Sequence, residues 1–271
     1  VVILDRSGSM EGDKIAFAKE AVRTLIGQLG PSDRFSLVTY SDGATELIPF
    51  APASVLAKRD WLAAVSRITA DGYTNMSAGM DKGFDLIESQ RMPGRAARAV
   101  LISDGLPNLG DPTPDGLIRR AARAPRGEYV MTAVGVGADF NEFLMTRLAD
   151  AGTGNYHFLA NGGNLADVFA NELSTARETV ASGVAVRVAP ASGVRVTDAS
   201  GYPLEANADG SVTFRPGILF SGQQRRIWVT FQVRADAVGE RSLGRISLEY
   251  SRDGVRDTIA LSQVPTVTAV R

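Results

Sequence analysis

The feature that most constrains the fold is a regular alternation of strand-like and helix-like segments over residues 1–178. Short apolar runs such as Val1–Leu4 and Ala99–Ser103 are typical of strands that are buried on both faces of a sheet. Segments such as Lys14–Leu29 place apolar residues on one face of a helix. The same alternation predicts a strand over Arg34–Tyr40, a helix capped by Ser54, and helices over residues 114–124 and 165–176. Strands that alternate with helices in this way indicate βαβ units. We therefore predict an α/β domain over residues 1–178, with a doubly wound, mostly parallel sheet flanked by helices.

The pattern changes from residue 179 onward. No helical period is visible after Val184, and short apolar segments separated by turn residues read as strands. Two Asp-Gly pairs, 209–210 and 253–254, are typical of tight hairpin turns, because such turns need positive φ values. Residues 179–271 are therefore predicted to form a smaller, all-β accessory domain, either an antiparallel sheet or a sandwich.

Composition excludes several classes of function. The chain has no cysteine and a single histidine, His157, which rules out disulfide scaffolds, thiol nucleophiles and zinc sites with several histidines. A net charge of −1 argues against a nucleic-acid partner. No apolar run is long enough to suggest a membrane span. We interpret His157, which lies in a predicted strand, as a structural residue.

Oxygen-bearing side chains are concentrated where predicted strands end. Residues 5–9 follow the first strand and offer the carboxylate of Asp5 and the hydroxyls of Ser7 and Ser9. Thr74 lies in a loop before a helix, and Asp104 ends another buried strand. In doubly wound sheets, ligands bind at the carboxyl ends of the strands. An all-oxygen set of this kind is what Mg²⁺ or Mn²⁺ prefers. The alternative for the first loop is that Asp and Ser only cap the next helix.

At this point the chain resembles the von Willebrand factor type A domains, whose metal-ion-dependent adhesion site has these five positions. The resemblance extends from Val1 to about Leu173 and includes segments 14–21, 33–38, 74–76 and 103–108. It implies a Rossmann-like fold with a Mg²⁺ site, with Mn²⁺ or Ca²⁺ as alternatives. The implied ligands are Asp5, Ser7 and Ser9 from the first loop, with Thr74 and Asp104 binding directly or through water.

The resemblance also implies a kind of partner. One coordination position would stay open for a Glu or Asp carboxylate of a partner protein. Apart from the resemblance, Arg6, Tyr73 and Asn108 lie in the loops of the predicted site and are candidates for a partner-binding rim, with solvated side chains as the alternative. The chain resembles a bacterial-type member of the family, and the sequence around Asp5 and Asp104 is similar to the branch that includes the inter-alpha-trypsin inhibitor heavy chains and the calcium-activated chloride channel regulators. The β region carries no motif of its own, and the sequence leaves the oligomeric state open.

Three functions from different classes agree with this site. The first is a metal-dependent protein-binding module without enzymatic activity, which we favour. The second is an adaptor subunit of an AAA-type ATPase or chelatase-like complex. The third is a magnesium-dependent phosphatase or hydrolase, but the first loop offers serines instead of a second carboxylate, and a phosphate-binding G-x-x-x-x-G-K-[ST] loop is missing from the sequence. Because the chain opens without Met inside an apolar run, we take upstream residues to be missing and expect an extracytoplasmic or cell-surface location.

Two tryptophans and two loop carboxylates are further candidates for a structural or functional role. Trp61 and Trp228 lie in apolar patterns and are predicted to be core residues. Asp42 and Asp111 lie in loops near the predicted metal-binding edge, either as groups around the metal ligands or as solvated carboxylates.

Overall fold

A computed structural model describes residues 1–92, 95–137, 140–159, 170, 179–200, 202–220, 225–234 and 238–270. The chain divides into two compact units. One comprises Val1–Met92 and Ala96–Glu178, and the other Pro93–Arg95 and Thr179–Arg271.

The described part of the first unit is built on a six-stranded sheet with the strand order β3-β2-β1-β4-β5-β6. Neighbouring strands are parallel except for β3, which is antiparallel to β2. The prediction of a mostly parallel sheet is therefore confirmed. Strand order reverses beside β1, so the carboxyl ends of β1 and β4 form the topological switch point. The strands are β1 Val2–Asp5, β2 Arg34–Tyr40, β3 Ala44–Pro52, β4 Arg98–Ser103, β5 Val130–Val136 and β6 Thr153–Leu159.

The helices begin and end close to the predicted positions, with one break. The helix predicted over residues 114–124 ends at Ala121, because the ring of Pro125 disfavours a helical carbonyl four residues earlier. The helix predicted over 165–176 lies outside the described residues, apart from Ala170. The described helices are α1 Asp13–Gln28, α2 Val55–Ser66, α3 Met76–Gln90, α4 Pro114–Ala121, α5 Arg123–Arg126 and α6 Glu142–Ala151.

The sheet is buried on both faces. Val2 and Leu4 point into one apolar layer and Ile3 into the other, as the alternation of side chains along a strand requires. Trp61 of α2 is buried in the first layer with its ring centroid 5.1 Å from that of Phe35, which confirms the prediction for this tryptophan. His157 lies in β6, where it pairs with Val134 of β5.

The second unit is antiparallel β structure in its described residues, as predicted. Its strands form a five-stranded sheet, β14-β13-β7-β10-β9, and two-stranded pairs β11-β8 and β12-β15. Strands β9, β12 and β15 were not predicted. The strands are β7 Thr179–Pro190, β8 Val194–Ala199, β9 Glu205–Ala206, β10 Val212–Phe220, β11 Val229–Val233, β12 Gly239–Ser242, β13 Gly244–Arg252, β14 Val255–Ala260 and β15 Thr266–Ala269.

Both predicted hairpins are present but differ in their turns. Asp253 and Gly254 have φ values of 52° and 79° between β13 and β14, and two positive φ values are what a type I′ turn requires. The turn between β9 and β10 is longer. There Asn207 N donates to Ser211 O, and Gly210 has a φ of 80°.

The prediction that Trp228 is a core residue is wrong. Its side chain is 80% exposed. Its neighbours Ile227, Val229 and Phe231 pack against the small core of the second unit. Alternation along the extended segment therefore points Trp228 away from this core. The apolar composition of the segment predicted burial without showing which of its faces is inside.

Candidate metal site at the sheet edge

The structure brings the two predicted carboxylates to one edge of the sheet. Asp5 ends β1, and Asp104 follows β4, its neighbour in the sheet. Both side chains are fully buried. The Thr74 loop is joined to the first loop by backbone hydrogen bonds, from Gly8 N to Gly72 O at 2.9 Å and from residue 71 N to residue 6 O at 2.8 Å. Loops that are far apart in sequence therefore meet at this edge.

The first loop turns so that its polar groups converge. Asp5 Oδ1 accepts a hydrogen bond from Ser7 N at 2.9 Å, and the hydroxyls of Ser7 and Ser9 lie 3.1 Å apart. Ser7 precedes a short 3₁₀ turn, Gly8–Met10, but its side chain makes no capping hydrogen bond there. The residue before α1 is Gly12, which has no side chain to cap with. The helix-capping interpretation of this loop is therefore wrong.

The second loop is held by its backbone. Thr74 is buried. Its carbonyl oxygen accepts hydrogen bonds from Asn108 N at 3.1 Å and from Leu109 N at 3.2 Å. Its own N–H donates to Asn108 Oδ1 at 2.8 Å. Asn108, predicted as a rim residue, thus positions Thr74. Tyr73 is 64% exposed, and its N–H donates to Asp42 Oδ1 at 2.7 Å. Asp42 is therefore a loop-positioning residue.

Asp104 is paired on one side only. Its Oδ2 accepts from Lys14 Nζ at 3.1 Å. Its Oδ1 is buried and has no hydrogen-bond partner among the residues that the structure describes. A buried carboxylate oxygen without a donor is rare, because it loses its hydration without compensation. The resemblance includes segment 14–21, which begins with Lys14, but it gives this lysine no role.

Asp5 has two partners that sequence reasoning missed. Ser103 Oγ donates to Asp5 Oδ2 at 2.6 Å, and Tyr40 Oη donates to the same oxygen at 3.2 Å. Burial raises the pKa of Asp5, while hydrogen bonds from Ser103 and Ser7 work in the opposite direction. Burial also raises the pKa of Tyr40 well above its usual value, and the charge of Asp5 adds to this effect. Each partner is a polar residue that ends a strand adjacent to β1, which is the signal that could have found it.

Two further predicted residues have clear surroundings. Arg6 is half-buried in the first loop, and its N–H donates to Tyr40 O at 2.9 Å. Asp111 accepts from Thr113 Oγ1 at 2.5 Å and from Arg120 at 2.7 Å. These hydrogen bonds, that of Thr113 first, lower the pKa of Asp111 to about 2. Asp111 is therefore held in an ion pair with Arg120. The sequence predicts either a group around the metal ligands or a solvated carboxylate at this position, and it does not predict this ion pair.

The donor chemistry of the site fits a hard divalent cation. It combines two carboxylates with the hydroxyls of two serines and a threonine, and oxygen sets of this kind suit Mg²⁺ and Mn²⁺. Asp104 Oδ1, which has no partner among the described residues, is an oxygen that such an ion would satisfy. Within the described ranges, no group of three or more His, Cys, Asp or Glu side chains could hold a metal, so hydroxyls would have to complete the shell.

Comparison with known proteins places the chain among its relatives. It is 30% identical over 158 residues to human inter-alpha-trypsin inhibitor heavy chain H4, covering 55% of this chain and 17% of that protein. It is 27% identical over 190 residues to the uncharacterized protein YfbK of Escherichia coli (strain K12), covering 69% of this chain and 33% of that protein. The chain thus spans at most a third of the length of these two relatives. The predicted similarity to inter-alpha-trypsin inhibitor heavy chains is confirmed.

A solved structure with the same fold extends over both units. The von Willebrand factor type A protein from Catenulispora acidiphila has a TM-score of 0.78 and 20% identity, covering 98% of this chain and 64% of that one. No helix among the described residues is both long and apolar enough to cross a membrane. The family model for the von Willebrand factor type A domain matches residues 1–171, which is more than half of the chain. The chain therefore belongs to the von Willebrand factor type A domain family.

Proposed function

We propose that the chain is a divalent-metal-dependent protein-binding module without catalytic activity. Its ion, Mg²⁺ or alternatively Mn²⁺ or Ca²⁺, would be held by Asp5, Ser7, Ser9, Thr74 and Asp104. The observation that carries this proposal is the convergence of two buried carboxylates at adjacent strand ends, with Asp104 Oδ1 lacking a partner among the described residues. The membership of a family whose domains often bind divalent metals supports it.

The residues around the ion would perform separate tasks. When bound, the ion supplies an electrophilic position that an incoming carboxylate can occupy. Ser103 and Tyr40 fix the direction of the Asp5 carboxyl group by donating to one of its oxygens, and the hydrogen bond from Ser103 opposes the rise that burial causes in the pKa of Asp5. Asn108 fixes Thr74 through backbone and side-chain hydrogen bonds. The two carboxylates of the proposed site balance the charge of a divalent ion. The loaded site is therefore not negatively charged and does not repel the carboxylate of a partner.

The exposed side chains next to the site are partly apolar. Tyr73 precedes Thr74 and is 64% exposed, Leu106 follows Asp104 by two residues and is 43% exposed, and Leu109 is bonded to Thr74 through its backbone and is 38% exposed. Tyrosine is enriched among the residues that contribute most of the binding energy of an interface, and the buried centre of an interface is more apolar than its rim. We infer that the partner presents a Glu or Asp with apolar residues beside it.

Metal titration by calorimetry tests the proposal. Mg²⁺ and Mn²⁺ are titrated into the wild type, Asp5→Asn and the control Asp60→Asn, which removes the same charge from an exposed side chain of α2. We expect the wild type and the control to bind with equal affinity. Asp5→Asn should lose about 100-fold or more, because even partners of metal ligands contribute ten- to 100-fold.

Two outcomes would contradict the proposal. One is binding that survives Asp5→Asn unchanged, which would place the ion elsewhere. The other is no binding of either ion to the wild type. Once a protein partner is found, its binding is expected to disappear with EDTA, to return with Mg²⁺, and to weaken when its carboxylate is changed to an amide.

A further inference from the structure

Lys14 brings a positive charge into the candidate metal site. We propose that its ammonium group competes with the divalent ion for Asp104, so that Lys14 stabilises the metal-free site and lowers the affinity of the site for metal. This inference rests on the metal site proposed above. It assigns Lys14 a positioning and affinity-setting role that is separate from the ligands themselves.

The contact is defined by three elements of the fold. Lys14 is the second residue of α1, and its Nζ donates to Asp104 Oδ2, at the end of β4, at 3.1 Å. Its side chain is 22% exposed, whereas that of Asp104 is fully buried. The stem of Lys14 passes over Gly137, which follows β5 with a φ of 85°. A Cβ at position 137 would lie 2.6 Å from Lys14 Cε, so glycine leaves room for the stem.

The charges of the site explain why this contact matters. Asp5 and Asp104 are both buried, and besides the dominant effect of burial, the charge of Asp104 raises the pKa of Asp5. Among the described residues, the ion pair made by these two carboxylates is the one between Lys14 and Asp104. Without metal, the ammonium leaves the trio with one net negative charge. With a divalent ion, the same group is a like charge that opposes metal binding and leaves the site with one net positive charge.

An ordinary ion pair would have a different signature. If Lys14 only satisfies a buried carboxylate, its removal lowers stability and leaves metal affinity unchanged or weaker. If Lys14 competes with the ion, its removal lowers the stability of the metal-free protein and raises metal affinity. Metal affinity therefore separates the two roles, and stability alone does not.

The experiment compares three variants by two measurements. Lys14→Met removes the charge but keeps a flexible stem, Lys14→Arg keeps the charge, and the control Lys82→Met removes a charge from an exposed position of α3. Mg²⁺ affinity is measured by calorimetry, and the melting temperature is measured in EDTA and in saturating Mg²⁺. We expect Lys14→Met to bind Mg²⁺ about tenfold more tightly or better. Its melting temperature in EDTA should fall by about 5 °C or more, and Mg²⁺ should raise it more than it raises that of the wild type.

The remaining outcomes are decisive as well. Lys14→Arg and Lys82→Met should bind Mg²⁺ within about twofold of the wild type. Equal or weaker binding by Lys14→Met overturns this inference and leaves the metal site standing. Binding of Mg²⁺ by neither the wild type nor Lys14→Met overturns both proposals. If Lys14→Met does not fold in EDTA, Lys14→Gln folded in Mg²⁺ provides the same affinity comparison, with the same criterion.

Discussion

Ser103→Ala tests how the buried charge of Asp5 is held in the metal-free protein. The Ser103 hydroxyl is fully buried, donates to Asp5 Oδ2 at 2.6 Å, and accepts from Gly105 N at 2.9 Å. Alanine removes both hydrogen bonds while removing a single oxygen atom. The substitution therefore leaves a buried carboxylate with one donor fewer and a buried backbone N–H without its acceptor.

The expected loss follows from the kind of hydrogen bond that is removed. A hydrogen bond to a charged group contributes about 1.5–3 kcal/mol to stability, and a neutral one about 0.5–1.5 kcal/mol. With the unpaired Gly105 amide included, Ser103→Ala should lower the free energy of unfolding by about 2–4 kcal/mol. Ser36→Ala is the matched control, because the Ser36 hydroxyl is equally buried but donates to a neutral carbonyl, Ile48 O, at 2.9 Å. Its expected loss is about 1 kcal/mol.

Urea unfolding in EDTA measures this difference. The chain has two tryptophans, and Trp61 is buried in the first unit whereas Trp228 is exposed in the second. In a Trp228→Phe background, fluorescence therefore reports unfolding of the α/β unit alone. A loss in Ser103→Ala no greater than that in Ser36→Ala would refute the reasoning, since the hydroxyl would then not be supporting a charge.

Further predictions concern packing, acid stability and a hairpin. Gly79→Ala should cost about 1–3 kcal/mol by the same fluorescence assay, because its Cβ would lie 2.4 Å from the buried ring of Tyr40. Asp111 has a folded-state pKa of about 2, below the usual 3.8, owing to Thr113 and Arg120. Its contribution should be full above pH 4 and should be lost as the pH falls toward 2, so urea titrations should show less acid dependence in Asp111→Asn. Gly254→Ala should destabilise the β13–β14 hairpin by about 1 kcal/mol, because its φ is 79°; hydrogen exchange of the strand amides should then be faster, and unchanged protection would contradict the turn assignment.

Elements with a strong local pattern were predicted almost residue by residue. Strand Arg34–Tyr40 was predicted with its observed bounds, and the predicted cap Ser54 accepts from Ala57 N at 3.1 Å. Strands β12 and β15 were missed, because they are four residues each and exist by pairing with each other across 24 residues or more. Such pairing is a tertiary property that no local pattern contains.

The candidate ligands and the residues that hydrogen-bond to them also differ in how far the local sequence predicts them. Asp5 and Asp104 could be predicted because each directly follows an apolar run, and the fold places the ends of parallel strands together. Lys14 could not, since it reaches Asp104 from 90 residues away along the chain. Tyr40 and Ser103 lie 35 and 98 residues from Asp5, and only their positions at the ends of the strands next to β1 mark them in the sequence. A side chain's distant partner becomes visible only when the packing of the elements is known.

The backbone contacts of the exposed residues beside the site have a consequence for evolution. Tyr73 and Leu109 are fixed through their backbone N–H groups, to Asp42 Oδ1 and to Thr74 O. Their exposed side chains can therefore be exchanged while the loops keep their course and Thr74 keeps its place. Under the proposed function, the choice of partner and the binding of the ion can then change independently, so that one inherited backbone frame can carry a succession of new surfaces.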